Sequence, residues 1–282
     1  MSGSYGKRDL ERAAKPFHQD HWPQLLCGRC EQGTLSPKDG DSVNLVEAAD
    51  SASPYWRNHD GWEPDWIYGY FHGVLRCSDT RCGEPTVVTG VYNLDYAPST
   101  DEEYQKSGVL YAPFLRLQFA YPETCIMKIP DRCPNEVRER IEEAARLIWA
   151  DPASAANRLR SAIEELLTAQ KVPRTRLVAK KGGAQGRSRR RLTAHDRIEL
   201  LKVKEPGAAD LLEAVKWIGN SGSHESGMRV GDVLDGVALM EHALHELYDN
   251  RGKELAKMAK KINARKGPLP LKSNKVPGKR NA

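Results

Sequence analysis

Polar and apolar residues follow one spacing before residue 134 and a different spacing after it. In the first part, runs rich in aromatic and β-branched residues are bounded by turn-forming residues, which is typical of β-strands. These runs are 66–75, 85–92 and 114–120. The first two runs predict a hairpin, and the polar stretches 39–53 and 98–106 predict exposed loops.

After residue 134, apolar residues recur every three or four positions, as on one face of an amphipathic helix. Asp151 followed by Pro152 predicts a helix start, because a carboxylate caps the first amides and proline fits the first turn. Thr193 and Asp196 have the spacing of a capping box. The pattern predicts four long helices and one short helix, at 134–150, 151–167, 193–204, 208–218 and 230–247.

The segment 215–224 connects the last two predicted helices. Gly219 and Gly222 flank Asn220, and His224 follows them. Since glycine and asparagine commonly end helices, we expect a turn that places Asn220 and His224 beside a groove. The two residues have two interpretations: they form a working or vestigial catalytic centre, or they hydrogen-bond the ends of two helices and fix the crossing angle.

Four of the six cysteines form two close pairs, Cys27 with Cys30 and Cys77 with Cys82. In a reducing compartment, such pairs present four thiolates to one tetrahedral ion more often than they form disulfides. The sequence therefore predicts a structural zinc ion bound by these four residues, against a degenerate knuckle or incidental thiols. Four histidines could replace a ligand, although each is more commonly an ordinary surface residue: His18, His21, His59 and His72.

Aromatic residues are concentrated between the two cysteine pairs and have two interpretations. They could stack on the bases of a nucleic acid, or they could supply the core of a small zinc-stapled sheet, where hydrophobic residues are scarce. We favour the core interpretation. The residues are Tyr55, Trp56, Trp62, Trp66, Tyr68 and Tyr70.

The composition is that of a soluble protein with room for two ordinary domains. The 282 residues are 39% hydrophobic and 29% charged. No run approaches the eighteen apolar residues of a membrane span, and the first residues lack the apolar centre of a signal peptide. We therefore expect a cytoplasmic protein with no membrane partner.

Positive charge is concentrated in two segments. The net charge is +5, yet residues 251–282 alone carry +10, and residues 171–191 hold nine Lys/Arg and no acid, so the rest of the chain carries −14. We expect 171–191 to be a flexible cationic loop, which is either simply solvated or binds phosphates of RNA or DNA. The candidate nucleic-acid-binding residues are Arg174, Arg176, Lys180, Lys181, Arg187, Arg189, Arg190 and Arg191.

Three motifs follow one another in the second half of the chain: Tyr121-Pro122-Glu123, the alanine-rich run 155–167, and Ile218-Gly219-Asn220-Ser221-Gly222-Ser223-His224. In this order they resemble the DUF4145 family, whose domains are similar to the HEPN superfamily of helical bundles. The resemblance covers residues from about 121 to 250. Family members often carry a cysteine-paired zinc-binding segment ahead of the bundle, which is similar to residues 27–82.

The resemblance also implies a catalytic possibility. HEPN-like proteins include metal-independent endoribonucleases of toxin and anti-phage systems, whose motif is an arginine followed a few residues later by a histidine. On this basis His224 is the candidate general acid/base, and Asn220 would orient groups beside it. Residues 217–219 contain no arginine, and Lys216 is the nearest cation. The positive charge of the missing motif arginine could come instead from Arg158, Arg160 or Arg229.

We therefore predict an α+β protein with a flexible N-terminus (1–20), a small zinc-stapled, zinc-ribbon-like β-rich module (21–120), an all-α HEPN-like helical bundle (121–250) and a basic tail (251–282). The leading hypothesis is a nucleic-acid-associated module, non-catalytic or weakly catalytic, of a bacterial defence or toxin system. The alternatives are a metal-independent endoribonuclease that uses His224, and a dimeric adaptor that pairs through alanine-rich helix faces. Expected partners are RNA or DNA, a second copy of the chain and a protein of the same system.

Overall fold

An antiparallel sheet occupies the first part of the chain, and helices occupy most of the second part. The computed structural model describes residues 5–38, 43–96, 111–179, 186–224, 227–249 and 251–269. The sheet curls into a half-barrel over residues 17–121. Its strands are β1 (Phe17–His18), β2 (Leu25–Leu26), β3 (Thr34–Ser36), β4 (Asn44–Glu47), β5 (Tyr68–Cys77), β6 (Pro85–Tyr96) and β7 (Tyr111–Tyr121).

The strand order in this sheet is β1-β7-β6-β5-β3-β2, and β4 pairs with β5 off this path. The predicted hairpin is confirmed, because β5 and β6 pair continuously from Tyr68↔Asn93 to Arg76↔Pro85. The strand predicted at 114–120 is β7. The loop predicted at 39–53 is wrong in part, since β4 lies inside it, and the loop predicted at 98–106 lies outside the described residues.

The aromatic residues assigned to the core are largely exposed instead. β5 alternates in burial, so Phe71 points inward while Tyr68 and Tyr70 point outward. Other rings, including Phe17 and Phe71, fill the interior together with aliphatic residues such as Leu75 and Leu115. The core interpretation is therefore wrong for the exposed residues, which are Tyr55 at 74%, Trp56 at 42%, Trp66 at 38%, Tyr68 at 42% and Tyr70 at 59%.

The described helices are α1 (Tyr5–Ala13), α2 (Pro54–Arg57), α3 (Asn135–Leu147), α4 (Pro152–Ala169), α5 (Ala194–Lys202), α6 (Pro206–His224), α7 (Val230–Tyr248) and α8 (Arg251–Arg265). Two predicted helix starts are confirmed. The Asp151 carboxylate accepts a hydrogen bond from the Ser154 amide at 2.9 Å. Thr193 and Asp196 form the capping box that their spacing predicts.

The predicted fold class is wrong in both halves. The first half is a seven-stranded half-barrel rather than a small metal-stapled module, because long alternating strands bury their own core, including Phe71, Leu75 and Leu115. The second half is not an all-α HEPN-like bundle, because strands β8 (Thr175–Ala179) and β9 (Arg187–Arg191) interrupt it. Periodicity could not reveal β9, since all five of its residues are polar and exposed.

Helix α4 lies at the centre of the helical region. Its small residues Ala155, Ala156 and Ala162 are fully buried, and they let neighbouring helices approach closely. This alanine-rich face is therefore covered by the chain itself and is not available to a second copy. A homodimer remains a prediction, but it cannot form through this face without unpacking the helices.

Helix α6 continues through the segment that was expected to turn. The predicted helix end near residue 218 is wrong, because α6 extends to His224. A Cβ at Gly219 would lie 2.8 Å from Arg160 Cβ and 3.0 Å from the Ala156 carbonyl oxygen. Gly219 therefore permits close packing of α6 on α4, and the same residue type misled the turn prediction.

The buried residues of the sheet and of the helices form one continuous cluster. Residues 1–20, predicted to be flexible, contain α1, whose Leu10 and Ala13 belong to this cluster. Lys7 of α1 also bonds Asp235 of α7. At the other end, residues predicted to be a basic tail form α8. Among the described residues, no helix has the length and apolar character needed to cross a membrane.

Candidate metal centre and nucleic-acid interface

Two tight turns bring four cysteines together at one end of the sheet. Cys27 and Cys30 lie in the turn between β2 and β3, while Cys77 ends β5 and Cys82 lies in the turn that follows. Antiparallel pairing of Leu35 with Cys77 holds the two turns side by side. The prediction that these four thiols lie together is confirmed. We call them the cysteine cluster.

The sulfur positions suit one tetrahedral metal ion. The Sγ atoms of Cys30 and Cys77 are 3.5 Å apart, and those of Cys27 and Cys82 are 3.9 Å apart. A tetrahedral zinc ion with Zn–S bonds of about 2.3 Å holds its sulfurs about 3.8 Å apart. All four are free cysteines, and their sulfurs lie within 4.8 Å of one another. The four histidines considered as ligands are not members of this cluster.

Gly33 makes room for the cysteine cluster. A Cβ at this position would lie 2.3 Å from Cys77 Sγ and 2.8 Å from the Asp79 amide nitrogen, so it would collide with the second turn. The Gly33 N–H donates to Cys30 Sγ at 3.4 Å, and its carbonyl accepts from the Cys27 N–H at 2.8 Å. Only a glycine can therefore join both turns at this distance.

Cys30 and Cys77, whose sulfurs are 3.5 Å apart, have different electrostatic surroundings. The backbone N–H of Gly33 lowers the pKa of Cys30 to about 7. Burial raises the pKa of Cys77 to about 12, because the thiolate loses its hydration. A coordinated cation deprotonates thiols in such surroundings, so a metal ion would supply the charge that the protein does not provide at Cys77.

The predicted flexible loop is instead an ordered β-hairpin where the structure describes it. Strand β8 pairs with β9 from Thr175↔Arg191 to Ala179↔Arg187, and we call this pair the basic hairpin. Arg174, just before β8, contacts Glu165 at 3.4 Å and the Thr168 hydroxyl at 3.1 Å. Two of the predicted nucleic-acid-binding residues, Lys180 and Lys181, lie outside the described residues.

The basic hairpin has an excess of positive charge and little apolar cover. Arg176 lies directly opposite Arg190, and like charges in this position destabilise a strand pair by about 0.2–1 kcal/mol. Leu177 is 60% exposed. Within the described part of the chain, five hairpin arginines lack a carboxylate within 4.0 Å: Arg176, Arg187, Arg189, Arg190 and Arg191. An anionic partner would remove this repulsion.

Asn220 and His224 lie on the last two turns of α6. Asn220 is half-buried, while the His224 side chain lies outside the described side chains. Lys216, four positions before Asn220, is only 4% exposed. Its Nζ lies 3.4 Å from Glu213 and 3.4 Å from His195. Lys216 is therefore engaged elsewhere, and the catalytic role of Asn220 and His224 stays a prediction.

A polar cluster that sequence reasoning missed joins α5 to α6. His195 Nδ1 lies 3.1 Å from Glu213, and Glu199 completes a group of potential metal ligands. The Lys216 ammonium contacts the same two atoms, His195 Nδ1 and Glu213 Oε1, so it neutralises the site that a cation would need. Helical spacing of His195 with Glu199 and of Glu213 with Lys216 is the signal that could have revealed it.

The fold and these sites define a protein with a curled sheet, a cysteine cluster and a helical region that carries a basic hairpin. Residues 142–265 match the family described as Domain of unknown function (DUF4145), as the motifs predicted. Residues 15–119 match the family described as Domain of unknown function (DUF8608). No curated protein and no solved structure gives a match. Since these descriptions name no activity, the defence or toxin role stays a prediction.

Proposed function

We propose that the protein binds nucleic acid through the basic hairpin and holds a structural zinc ion in the cysteine cluster. The observation that carries the first part is the hairpin itself, which presents five arginines with no carboxylate within 4.0 Å among the described residues. The Asp196 carboxylate acts on Arg176 and Arg190 only from a longer distance. Each phosphate that binds there supplies a missing counter-charge. Such contacts are independent of sequence and release condensed cations, so affinity must fall as salt rises.

The geometry of the basic hairpin favours a phosphate backbone over a compact anion. Directly opposed residues of two antiparallel strands point to the same face, so Arg187, Arg189 and Arg191 line one face and Arg176 and Arg190 line the other. Cations therefore follow one another along β9 on the first face and lie side by side across the two strands on the second face. An extended polyanion can contact several of them at once, whereas a small anion would contact one or two.

The zinc proposal rests on the fit of the donor set. Four sulfur ligands at these separations are typical of closed, structural zinc sites, which leave no open position for a substrate. The ion would link the turn after β2 to the turn after β5. Cys27, Cys30, Cys77 and Cys82 would hold it as thiolates, and the N–H of Gly33 would stabilise the charge on Cys30.

We infer binding rather than cleavage because the cations on either side of Asn220 and His224 in sequence, Lys216 and Arg229, are already committed, Arg229 to Asp232 at 3.1 Å. Lys216 is buried against Glu213 and His195, where it cannot also reach a phosphate. Labelled RNA incubated with the purified protein in chelator should therefore remain intact. Cleavage that disappears in His224→Ala would contradict this part of the proposal.

The binding proposal is tested by titrating labelled RNA and DNA at several salt concentrations. The wild type is compared with a variant in which Arg187, Arg189, Arg190 and Arg191 are all glutamine. Each lost phosphate contact reduces the slope of log K against log salt by about 0.7 for single strands and about 0.9 for duplexes. We therefore expect the slope to fall by roughly 3 in this variant.

A matched control removes four cations from α8, with Lys257, Lys260, Lys261 and Arg265 all changed to glutamine. These residues are exposed, so both variants lose the same charge without losing buried contacts. The control should keep most of the wild-type slope. Equal losses in both variants would show that net charge alone drives binding and would contradict a site on the basic hairpin.

A further inference from the structure

A cleft of about 490 Å³ lies at the base of the basic hairpin, between α4 and the start of α5. Its charged lining consists of Arg160, Arg174, Arg191, Arg197, Glu164 and Glu165. Four guanidinium groups against two carboxylates leave a local charge of +2. The cleft is therefore cationic like the hairpin above it, but it is a concave site with buried donors rather than an exposed strand.

Arg197 is a buried cation at the wall of this cleft. It is only 4% exposed. Its guanidinium donates to the Glu164 carbonyl at 3.2 Å, to the Thr168 hydroxyl at 2.9 Å and to the Val172 carbonyl at 3.3 Å. All three acceptors are neutral, and Arg197 Nε has no hydrogen-bond partner among the described residues. The Glu164 and Glu165 carboxylates compensate this charge only from a distance, so an anion that bonded Arg197 directly would stabilise the buried charge.

Arg160 presents a second unpartnered donor. Its Nε is also buried without a hydrogen-bond partner among the described residues. The α6 backbone at Gly219 packs along the aliphatic part of Arg160, because a Cβ on Gly219 would lie 2.8 Å from Arg160 Cβ and 3.5 Å from its Cδ. Packing along this stem leaves fewer rotamers open to Arg160, and a donor with fewer rotamers loses less entropy on binding.

The remaining charged groups set the selectivity of the cleft. Arg174 already contacts Glu165 at 3.4 Å, so this pair is nearly neutral. The Glu164 carboxylate opposes one further arginine. Arg160, Arg191 and Arg197, together with the Glu164 carboxylate, therefore give the cleft a net charge of about +2. A phosphate monoester carries about −1.5 to −2 at neutral pH, which matches this charge. An internal phosphodiester carries only one charge and would leave part of this excess uncompensated.

We propose that the cleft binds a terminal phosphate monoester of a nucleic acid whose chain continues along the basic hairpin. This inference rests on the proposed function, since it assigns the end of the same ligand. Arginine suits the task because its planar fork donates two parallel hydrogen bonds to phosphate oxygens. Arg160 and Arg197 would donate from the floor of the cleft, and Arg191 from the hairpin.

The test compares short RNAs of one sequence that end in a 5′-phosphate, a 3′-phosphate or hydroxyls at both ends. Binding is measured by fluorescence anisotropy with the wild type, Arg191→Gln and Arg189→Gln. Both variants remove one arginine from the same face of β9, but only Arg191 lines the cleft. We expect the wild type to prefer one phosphorylated end by roughly tenfold, about 1.4 kcal/mol. Arg191→Gln should lose this preference, and Arg189→Gln should keep it while binding all RNAs more weakly.

Arg160→Gln provides a second variant inside the cleft and should also lose the preference. Its fold is checked by circular dichroism, and Arg191→Gln keeps the test valid if Arg160→Gln fails to fold. Salt-dependent RNA binding with no preference for a phosphorylated end would overturn the cleft proposal and leave the hairpin proposal intact. Failure to bind any RNA would overturn the cleft proposal, and failure to bind both RNA and DNA would overturn the hairpin proposal as well.

Inorganic phosphate and a mononucleotide 5′-phosphate distinguish a chain end from a free anion. As competitors, each should abolish the end preference only at concentrations far above the Kd of the phosphorylated RNA, because neither contacts the hairpin. Displacement at concentrations comparable with that Kd would assign the cleft to a free phosphate compound and overturn the chain-end proposal.

Discussion

The cysteine cluster and the basic hairpin both depend on paired strands, but only the cluster is joined to the core. Cys27 is 1% exposed and Cys77 is fully buried, whereas every residue of β9 is exposed. The cluster brings together groups that one cation can satisfy. The hairpin brings together like charges that the nearby Asp196 carboxylate offsets only in part, so an external anion would stabilise them. The comparison therefore separates a site that stabilises the fold from a site that requires a partner.

Loss of one thiol should have the largest effect on stability. We expect Cys30→Ser to lose its zinc and to lower Tm on the order of 10 °C, because structural zinc contributes folding free energy directly. Elemental analysis measures the zinc content, and thermal unfolding measures Tm. Cys125→Ser is the control, since Cys125 lies outside the cluster and its Sγ only donates to the Met127 carbonyl. Equal zinc content in the two variants would contradict the metal centre.

A methyl group placed at Gly33, between the two turns of the cysteine cluster, should have the next largest effect on stability. Gly33→Ala would place a methyl group 2.3 Å from Cys77 Sγ, and overpacking of this kind costs about 1–3 kcal/mol. The matched change, Gly61→Ala, meets its nearest atom at an ordinary 3.5 Å and should be nearly neutral. Chemical denaturation measures both free energies of unfolding. A neutral Gly33→Ala would mean that the two turns are not held together.

Removal of the basic hairpin should change stability much less than loss of the cluster. The Leu192 N–H donates to the Arg174 carbonyl at 2.9 Å, so a short Gly-Ser turn can replace residues 175–191. We expect the free energy of unfolding to change by less than about 1 kcal/mol, because an isolated two-stranded hairpin is marginally stable. Nucleic-acid binding should be lost. A large drop in Tm would show that the hairpin supports the core.

Removal of one of the two opposed arginines, Arg176 and Arg190, should have the smallest effect. It should raise the stability of the hairpin and lower its affinity for RNA. Arg176→Thr removes the cation opposite Arg190, so the hairpin should gain about 0.2–1 kcal/mol while its affinity for RNA falls. Amide hydrogen exchange measures the stability of the hairpin, and a titration measures its affinity for RNA. Arg187→Thr is the control, because Ala179 lies opposite it and no repulsion is removed. Equal stabilisation in both variants would contradict the role of the cross-strand pair.

Features set by contacts close in sequence were predictable. Asp151 and Thr193 cap helices through bonds to residues three positions away, so their spacing was sufficient. The paired cysteines were recognisable because each knuckle has a short spacing. Long strands were recognisable from their runs of aromatic and β-branched residues, although their extent was underestimated. These predictions succeeded because the deciding interactions lie within a few residues along the chain.

Features set by distant contacts were not predictable. Gly219 resembles a helix end, yet its role is to admit Arg160 from α4. Strand β9 has no apolar alternation, so only its pairing with β8 reveals it. The cleft depends on Arg160 and Arg197, which lie 37 positions apart in sequence and meet only in the folded chain. Sequence reasoning therefore found the charge of this region but not its shape.

Hydrogen exchange of the basic hairpin is the most direct test of the central claim. Amides of Thr175–Ala179 and Arg187–Arg191 are followed at low salt, with and without single-stranded RNA. Bound phosphates should remove the repulsion between arginines, so exchange in both strands should slow on binding and return to its free rate at high salt. RNA that binds at low salt while hairpin exchange stays unchanged would contradict the assignment of the hairpin as the nucleic-acid interface.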